Sequence, residues 1–178
     1  RLVKLEKGRH ANCQSESIAP SAWSGFTVLE TLDTTYDAMD RKLKETLISD
    51  GAVRTIKQFS YDAMGRPECT AVRLNLSSVP ASACTLGTAG TDGPNRITKN
   101  VYDAAGQLLQ IHEGVGTSVE AAEVTYSYTP NGKRQYVIDG EGARAQFTYD
   151  GHDRQLKWIF PSKTRPSAFN AATPATAL

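Results

Sequence analysis

A chain of 178 residues with 20 Lys and Arg against 19 Asp and Glu carries a net charge of +1. That length suits one domain burying roughly 70% of its unfolded surface, and the charge lacks the basic excess of a dedicated nucleic-acid surface. No apolar run approaches the ~18 residues of a membrane span, and no run of like charge forms a basic or acidic tail.

Residues 1–7 alternate weakly and are expected to form a strand. They are too charged for a secretory leader, and the sequence does not open on Met, so it reads as a piece of a longer chain. Gly8 to Gly25, rich in Ser, Asn, Pro and Gly, is expected to be a surface loop anchored by Trp23. A strand over Phe26 to Leu32 should end near Asp33. Arg41 to Ile48 reads as a strand rather than a helical turn, being short and flanked by turn residues. Ser49-Asp50-Gly51 is a hairpin signal. Its return strand runs from Val53 to Tyr61, with Val53, Thr55, Lys57, Phe59 and Tyr61 expected on one face.

Pro67 to Leu76 continues the pattern, and Asn75 to Asn95, rich in Ser, Ala, Gly, Thr and Pro, interrupts it. Arg96 to Tyr102 resumes the strands. Leu108 to His112 and Val124 to Tyr128 form a pair joined by Glu113 to Ala122. The cleanest hairpin is Gln135 to Ile138, the turn Asp139-Gly140-Glu141-Gly142, and Ala143 to Tyr149. In its second strand Ala143, Ala145, Phe147 and Tyr149 face one way, and Arg144, Gln146 and Thr148 the other. Such alternation predicts one buried and one wet face. Leu156 to Phe160 starts another strand, and the Ala, Pro, Thr and Ser after Pro161 predict a flexible tail. The chain thus divides into a partial repeat over 1–35, an array over 36–160 with an insertion within 68–99, and a tail over 161–178.

One hexapeptide organises the array. Tyr61-Asp62-Ala63-Met64-Gly65-Arg66 returns as Tyr36-Asp37-Ala38-Met39-Asp40-Arg41, Tyr102-Asp103-Ala104-Ala105-Gly106-Gln107, Tyr128-Thr129-Pro130-Asn131-Gly132-Lys133 and Tyr149-Asp150-Gly151-His152-Asp153-Arg154, in steps of 25, 41, 26 and 21 residues. A tyrosine suits the end of a pleated strand, and the aspartate can take a backbone N–H about two residues on and start a turn. The Gly, or the Asp that replaces it at Asp40 and Asp153, sits where a positive φ is needed. The Arg, Lys or Gln then opens the next strand. The unit reads strand, tight turn, strand, as in an array of small repeats.

Of three cysteines, Cys69 and Cys84 share the interrupted stretch. A disulfide between them would close a loop of ~15 residues and stabilise by roughly 3 kcal/mol, in an oxidising compartment. The alternative is two unrelated buried thiols. Cys13 is free or paired elsewhere.

With Asp-x-x-Gly preceding the strand, the recurring Tyr-Asp-x-x-Gly-Arg resembles the RHS/YD-repeat family; the fullest unit is Asp139 to Asp150. The resemblance covers Tyr36 to roughly Phe160. It implies an all-β fold of antiparallel hairpins, a segment of a sheet that spirals into a hollow shell. Bacterial members are secreted or surface proteins whose shell encloses a C-terminal toxin, and the teneurins use a similar barrel in adhesion. The implied role here is structural and non-enzymatic, without a cofactor. The implied partners are flanking repeats and a toxin domain, with self-association through exposed strand edges. Binding of carbohydrate or a partner protein through the loops 8–25, 77–95 and 161–178 is the alternative. The insertion also resembles one carried by long bacterial members. Family cores commonly end in an aspartate-bearing segment that cuts the toxin free; no Asp-Pro dipeptide occurs here, so self-cleavage is not carried over to any residue.

Other patterns have simpler readings. His10, His112 and His152 lie far apart in sequence, as isolated histidines do. Gly114-Val115-Gly116-Thr117-Ser118 lacks the Gly-Lys-Ser/Thr ending of a phosphate loop and reads as a hairpin connection. No Gly-x-Ser-x-Gly elbow appears. Asp139 and Glu141 read as turn formers rather than a glycosidase pair. The aromatics Tyr61, Tyr126, Tyr128, Phe147 and Tyr149 read as core or lumen lining rather than a ligand platform. Asn75-Leu76-Ser77 fits a glycosylation acceptor that would stand idle in a bacterial chain.

Overall fold

The computed structural model describes residues 1–10, 17 and 24–160. Trp23, Cys13 and the tail after Phe160, each given a reading above, lie outside the described residues. The described chain contains no helix. Eleven antiparallel strands form one open sheet in which sequence order is spatial order. They are β1 (Lys4–His10), β2 (Phe26–Tyr36), β3 (Lys42–Ser49), β4 (Ala52–Tyr61), β5 (Pro67–Arg73), β6 (Arg96–Tyr102), β7 (Leu108–Glu113), β8 (Ala121–Tyr128), β9 (Arg134–Asp139), β10 (Arg144–Tyr149) and β11 (Gln155–Ile159).

Because each strand turns back on its predecessor, the connections alternate between two ends of the sheet. All five Tyr-Asp turns join an even strand to the next odd one and fall at one end. The other end carries the Asp50-Gly51 turn, residues 74–95, the 114–120 connection and the Asp139 to Gly142 turn. This explains the uneven steps between tyrosines: each step spans two strands of similar length plus one connection of free length.

Several sequence expectations shift. β1 runs on through Gly8 to His10, pairing with β2, so the expected loop starts later. A side chain at Gly8 would strike the Thr27 carbonyl, which is why glycine serves at this bulge. β2 extends past Asp33 to Tyr36, since Asp33 pairs with both Lys4 and Thr46. In β4 a bulge sets Leu47 opposite Thr55 but Ile48 opposite Val53. Thr55, Lys57, Phe59 and Tyr61 keep one face, and Val53 falls out of phase with them. Within the 68–99 bounds expected for the insertion, Glu68–Arg73 and Arg96–Lys99 are sheet strands, and residues 74–95 leave the sheet. The expected contrast between the faces of β10 is absent: Arg144, on the expected wet side, is 3% exposed, while residues of both faces in the rest of β10 are half-buried. A single sheet layer has no core side to hide a strand's apolar set.

A second layer exists in one place. Residues 74–95 fold back over β4–β6, and Ala83, Cys84 and Leu86, with Val115 from the β7–β8 connection, pack on Cys69, Ala71 and Ile97. By register Gln58, Cys69, Ala71, Arg73 and Ile97 share this face. Strand alternation puts Tyr36, Tyr61, Tyr102, Tyr128 and Tyr149 on the opposite one.

Candidate functional site: a ladder of tyrosine-aspartate corners

Each corner is a three-residue hairpin loop, a type I turn ending in a left-handed residue. In the first, Asp40 N–H donates to the Asp37 carbonyl and Asp37 N–H to that of Arg41. The aspartate side chain completes it: Oδ1 accepts from Met39 and Arg41 N–H at 2.9 Å each, and Oδ2 accepts from Arg41 Nε at 2.7 Å. The Asp62 corner repeats this with Met64 and Arg66 at 2.9, 2.9 and 2.6 Å, and the Asp150 corner with His152 and Arg154 at 2.9, 3.0 and 2.7 Å. The left-handed position is Gly65, Gly106 and Gly132 at φ 81°, 85° and 76°, and Asp40 and Asp153 at 60°, the substitution that backbone sterics favour. The remaining two corners are weaker. Asp103 accepts from Gln107 N–H (2.8 Å), and Thr129 Oγ1 from Lys133 N–H (3.1 Å).

Partial burial pushes the Asp37 and Asp62 carboxyls up, but the opposing pulls outweigh it. Backbone N–H groups and the clamped guanidinium leave both below the ordinary value of 3.8. Asp150 is lowered first by the Arg154 amide and then by its guanidinium.

The corners are linked to one another. Each tyrosine hydroxyl donates to the carbonyl of the residue that opens the strand after the preceding corner: Tyr61 to Lys42 (3.0 Å), Tyr102 to Pro67 (2.9 Å), Tyr128 to Leu108 (2.7 Å) and Tyr149 to Arg134 (2.7 Å). Tyr36 reaches Leu2 in the same way at 2.6 Å. The corner arginine lies over the next tyrosine ring, Arg41 on Tyr61 at 4.5 Å and Arg66 on Tyr102 at 4.4 Å, with Arg1 5.5 Å from Tyr36. Aspartate orients arginine, arginine covers the neighbouring ring, and the ring's hydroxyl ties back to the strand.

Sequence reading missed the arginine-on-tyrosine contact, because the two residues belong to different repeats. It also read Asp139 to Gly142 as a plain turn. That segment has the corner geometry: Asp139 Oδ1 accepts from Glu141 and Ala143 N–H at 3.0 and 2.8 Å, and Gly142 stands at φ 84°. The signal was present as Asp-x-x-Gly spacing without the tyrosine.

The Cys69–Cys84 bond forms, with Cα atoms 5.2 Å apart. Beside it Arg73, 1% exposed, donates to Gln58 Oε1 (2.6 Å) and to the carbonyls of Ser82 (2.7 Å) and Thr85 (2.8 Å). Glu68, Cys69 and Cys84 are the one cluster of metal-type donors among the described residues, and the disulfide denies it both thiolates. The histidines are not brought together. His10 lies against Phe26, His112 Nε2 meets Gln110 Oε1 at 3.0 Å, and His152 sits in a corner. In the 114–120 connection the Gly116 N–H donates to Glu120 Oε2 at 2.8 Å, so a carboxylate already takes the group a phosphate would need. A cleft of about 390 Å³ lies between Leu74, Asp92 and Asn95 on one side and Glu113, Thr117 and Val119 on the other.

No protein-family model matches the chain, and no curated protein matches it. Among solved structures it is similar to the crystal structure of TcdB2-TccC3-Cdc42, with a TM-score of 0.39 and 16% identity over 88% of this chain and 8% of that one. It is similar to that of TcdB2-TccC3-TEV with a TM-score of 0.38 and 16% identity over 87% of this chain and 8% of that one. The chain therefore spans 8% of the length of each. The fold itself stands on its own register: five corners of one geometry on one open antiparallel sheet, in agreement with the RHS/YD-repeat resemblance of the sequence.

Proposed function

We propose that this chain is a structural segment of an RHS-type repeat wall. In this reading it helps to enclose or display a C-terminal toxin or effector domain of a secreted bacterial protein. The observation that carries the reading is the corner ladder, in which the recurring side chains are spent on holding one strand to the next. Stability then comes from neighbour-to-neighbour contacts, as in other repeat proteins. The work of such a sheet is mechanical, without catalysis or cofactor. The disulfide suits an oxidising compartment, in keeping with a secreted or surface location. No helix among the described residues is long and apolar enough to cross a membrane.

The test uses a longer polypeptide containing this array and a following domain. Under limited proteolysis the following domain is expected to survive, and to become cleavable when Tyr61 and Tyr102 are both replaced by Ala. A following domain cut as fast within the array as alone rejects enclosure.

A second reading, a binding module for carbohydrate or a partner protein, is favoured by the cleft between the insertion and the β7–β8 connection. Glycan-array or pull-down binding that is lost on deleting 77–95 supports it over a passive wall.

A further inference from the structure

Three donor groups converge beside the capped core. Cys69 lies on β5 and Cys84 on the inner limb of the 74–95 insertion, joined by the disulfide with Cα atoms 5.2 Å apart. Glu68 is the extra residue of a β-bulge, because Ser60 pairs with Cys69 and Tyr61 with Pro67. Strict alternation therefore does not send its side chain to the face opposite Cys69. The Glu68 carboxylate and the two sulfurs lie within 4.8 Å of one another. The backbone around Cys84 is held by bonds that do not use the sulfur. Ala83 N–H donates to Ser60 Oγ (2.9 Å) and Cys84 N–H to Ser82 Oγ (3.2 Å), and the Ser82 and Thr85 carbonyls accept from Arg73 at 2.7 and 2.8 Å. Ala83 itself is 1% exposed. Opening the disulfide thus leaves two thiols facing each other on supported backbone, with a carboxylate beside them.

We propose that reduction converts this crosslink into a zinc site, with Glu68, Cys69 and Cys84 as ligands and water in the fourth position. A tetrahedral zinc with Zn–S of about 2.3 Å spaces its donors roughly 3.5–4 Å apart, inside the range of the cluster. Thiolates select zinc over the hard cations magnesium and calcium. The reductant is a water-soluble phosphine. Its phosphorus bonds to the Cys84 sulfur, since Cys84 is half-buried and Cys69 only 3% exposed. The S–S electron pair leaves on Cys69. Water then gives its oxygen to phosphorus and its two protons to the two sulfurs, and zinc displaces those protons when it binds. One charge opposes the metal. Lys99 stands opposite Cys69 in register, and its Nζ is 3.7 Å from Glu68 Oε1, so it lowers the affinity without supplying a ligand. The cap then stays seated in either redox condition, on the disulfide where thiols are oxidised and on the metal where they are kept reduced. The proposal rests on this cluster alone and is independent of any role in enclosing a cargo.

The experiment uses the full chain carrying Cys13→Ser, so that only Cys69 and Cys84 supply thiols. After anaerobic reduction and removal of the phosphine, zinc is titrated in competition with a chromophoric chelator. One zinc per reduced chain is expected and none in the oxidised chain, with magnesium and calcium unable to compete. Cobalt in place of zinc should give a thiolate-to-cobalt charge-transfer band, and Cys84→Ser should abolish it. Glu68→Gln changes a side chain that is 33% exposed, so the fold is not at stake. It should weaken zinc by about tenfold or more, since even partners outside the ligand shell contribute that much. Lys99→Met should tighten zinc by up to about fivefold. Zinc should also slow amide exchange at Ala83–Leu86 in the reduced chain. Equal uptake by the two redox forms, no uptake by the reduced chain, no charge-transfer band, or indifference to Glu68→Gln would each overturn the proposal.

Discussion

Between β4 and β6 the sheet carries a second layer; from β8 to β11 it carries one. Of the buried side chains among the described residues, Ile56, Gln58, Cys69, Ala71, Arg73, Ala83, Asn95 and Ile97 all lie in the insertion or on the strands beside it, and the remainder are Thr34, Ile138 and Arg144. Elsewhere Leu5, Val28, Leu43, Leu156 and Trp158 stay exposed. The two regions share the same corners and strand pairing. The corners therefore set strand order and register, and a local core appears only where chain is inserted to make one. Two buried arginines mark the contrast. Arg73 is fully engaged by neutral acceptors, which offsets its desolvation. Arg144 stacks on Tyr136 at 4.4 Å while its Nε and Nη1 have no hydrogen-bond partner among the described residues.

The largest expected effect tests the capped region. Arg73→Met takes the donor from the buried Gln58 Oε1 and from the part-buried Ser82 and Thr85 carbonyls and should cost about 4 kcal/mol, at about 1–3 kcal/mol for each group left without its donor. Hydrogen exchange should place the loss in β4–β6 and spare β9–β11. A loss spread evenly over the sheet would mean that the two regions are one cooperative unit.

Next comes the crosslink. Replacing Cys69 and Cys84 together by Ser should cost about 3 kcal/mol, since the bridged residues are 15 apart. Denaturation with and without reductant checks it, and unchanged exchange in the flanks keeps the comparison intact.

Tyr61→Phe and Tyr128→Phe each remove one part-buried hydroxyl bond to a carbonyl and should cost about 1 kcal/mol. Tyr102→Phe and Tyr149→Phe should cost less, because their bonds to Pro67 and Arg134 are solvent-exposed. Chemical denaturation of the four variants sharpens the contrast between covered and open rungs of the ladder.

Acid should separate the two ends of the sheet. The Asp37, Asp62 and Asp150 carboxyls are lowered in the folded chain. Their stabilisation is therefore present above the unfolded value, ordinarily 3.8, and is lost as pH falls from there through the lowered folded values. The arginine-clamped aspartates all lie at the corner end of the sheet, so exchange should rise first at the corners. A triple Asp→Asn variant should flatten that dependence.

The smallest effect is expected at Arg144→Met, which removes a buried cation without stranding a partner. Its thermal midpoint should stay level or rise slightly, as when a buried charge gives way to an apolar side chain of similar volume. A large loss would show that the Tyr136 stack holds the β9–β10 hairpin.

The strands, their order and the corners were legible because each depends on residues near one another in sequence. Asp50-Gly51, Gly65 and Gly106 announce positive φ, and one aspartate, or Thr129 in the fourth corner, closes each tyrosine turn over four residues. Legibility ended where alternation was read as burial. Arg144 fell on the expected wet side of β10 and is almost wholly buried, because a strand in a single layer has no prescribed inside.

By itself the sequence determined the hairpin array, the five tyrosine corners, the left-handed positions that Asp40 and Asp153 fill, and the pairing of two of its three cysteines as one alternative. Tertiary structure alone decided that all corners gather at one end, that Arg41 and Arg66 cover tyrosines 20 and 36 residues further on, and that residues 74–95 fold back to form the core. The physical reason is range. A turn is fixed by the dihedral preferences of four or five adjacent residues, whereas a stacked ring or a capped face depends on how far the chain travels before it returns.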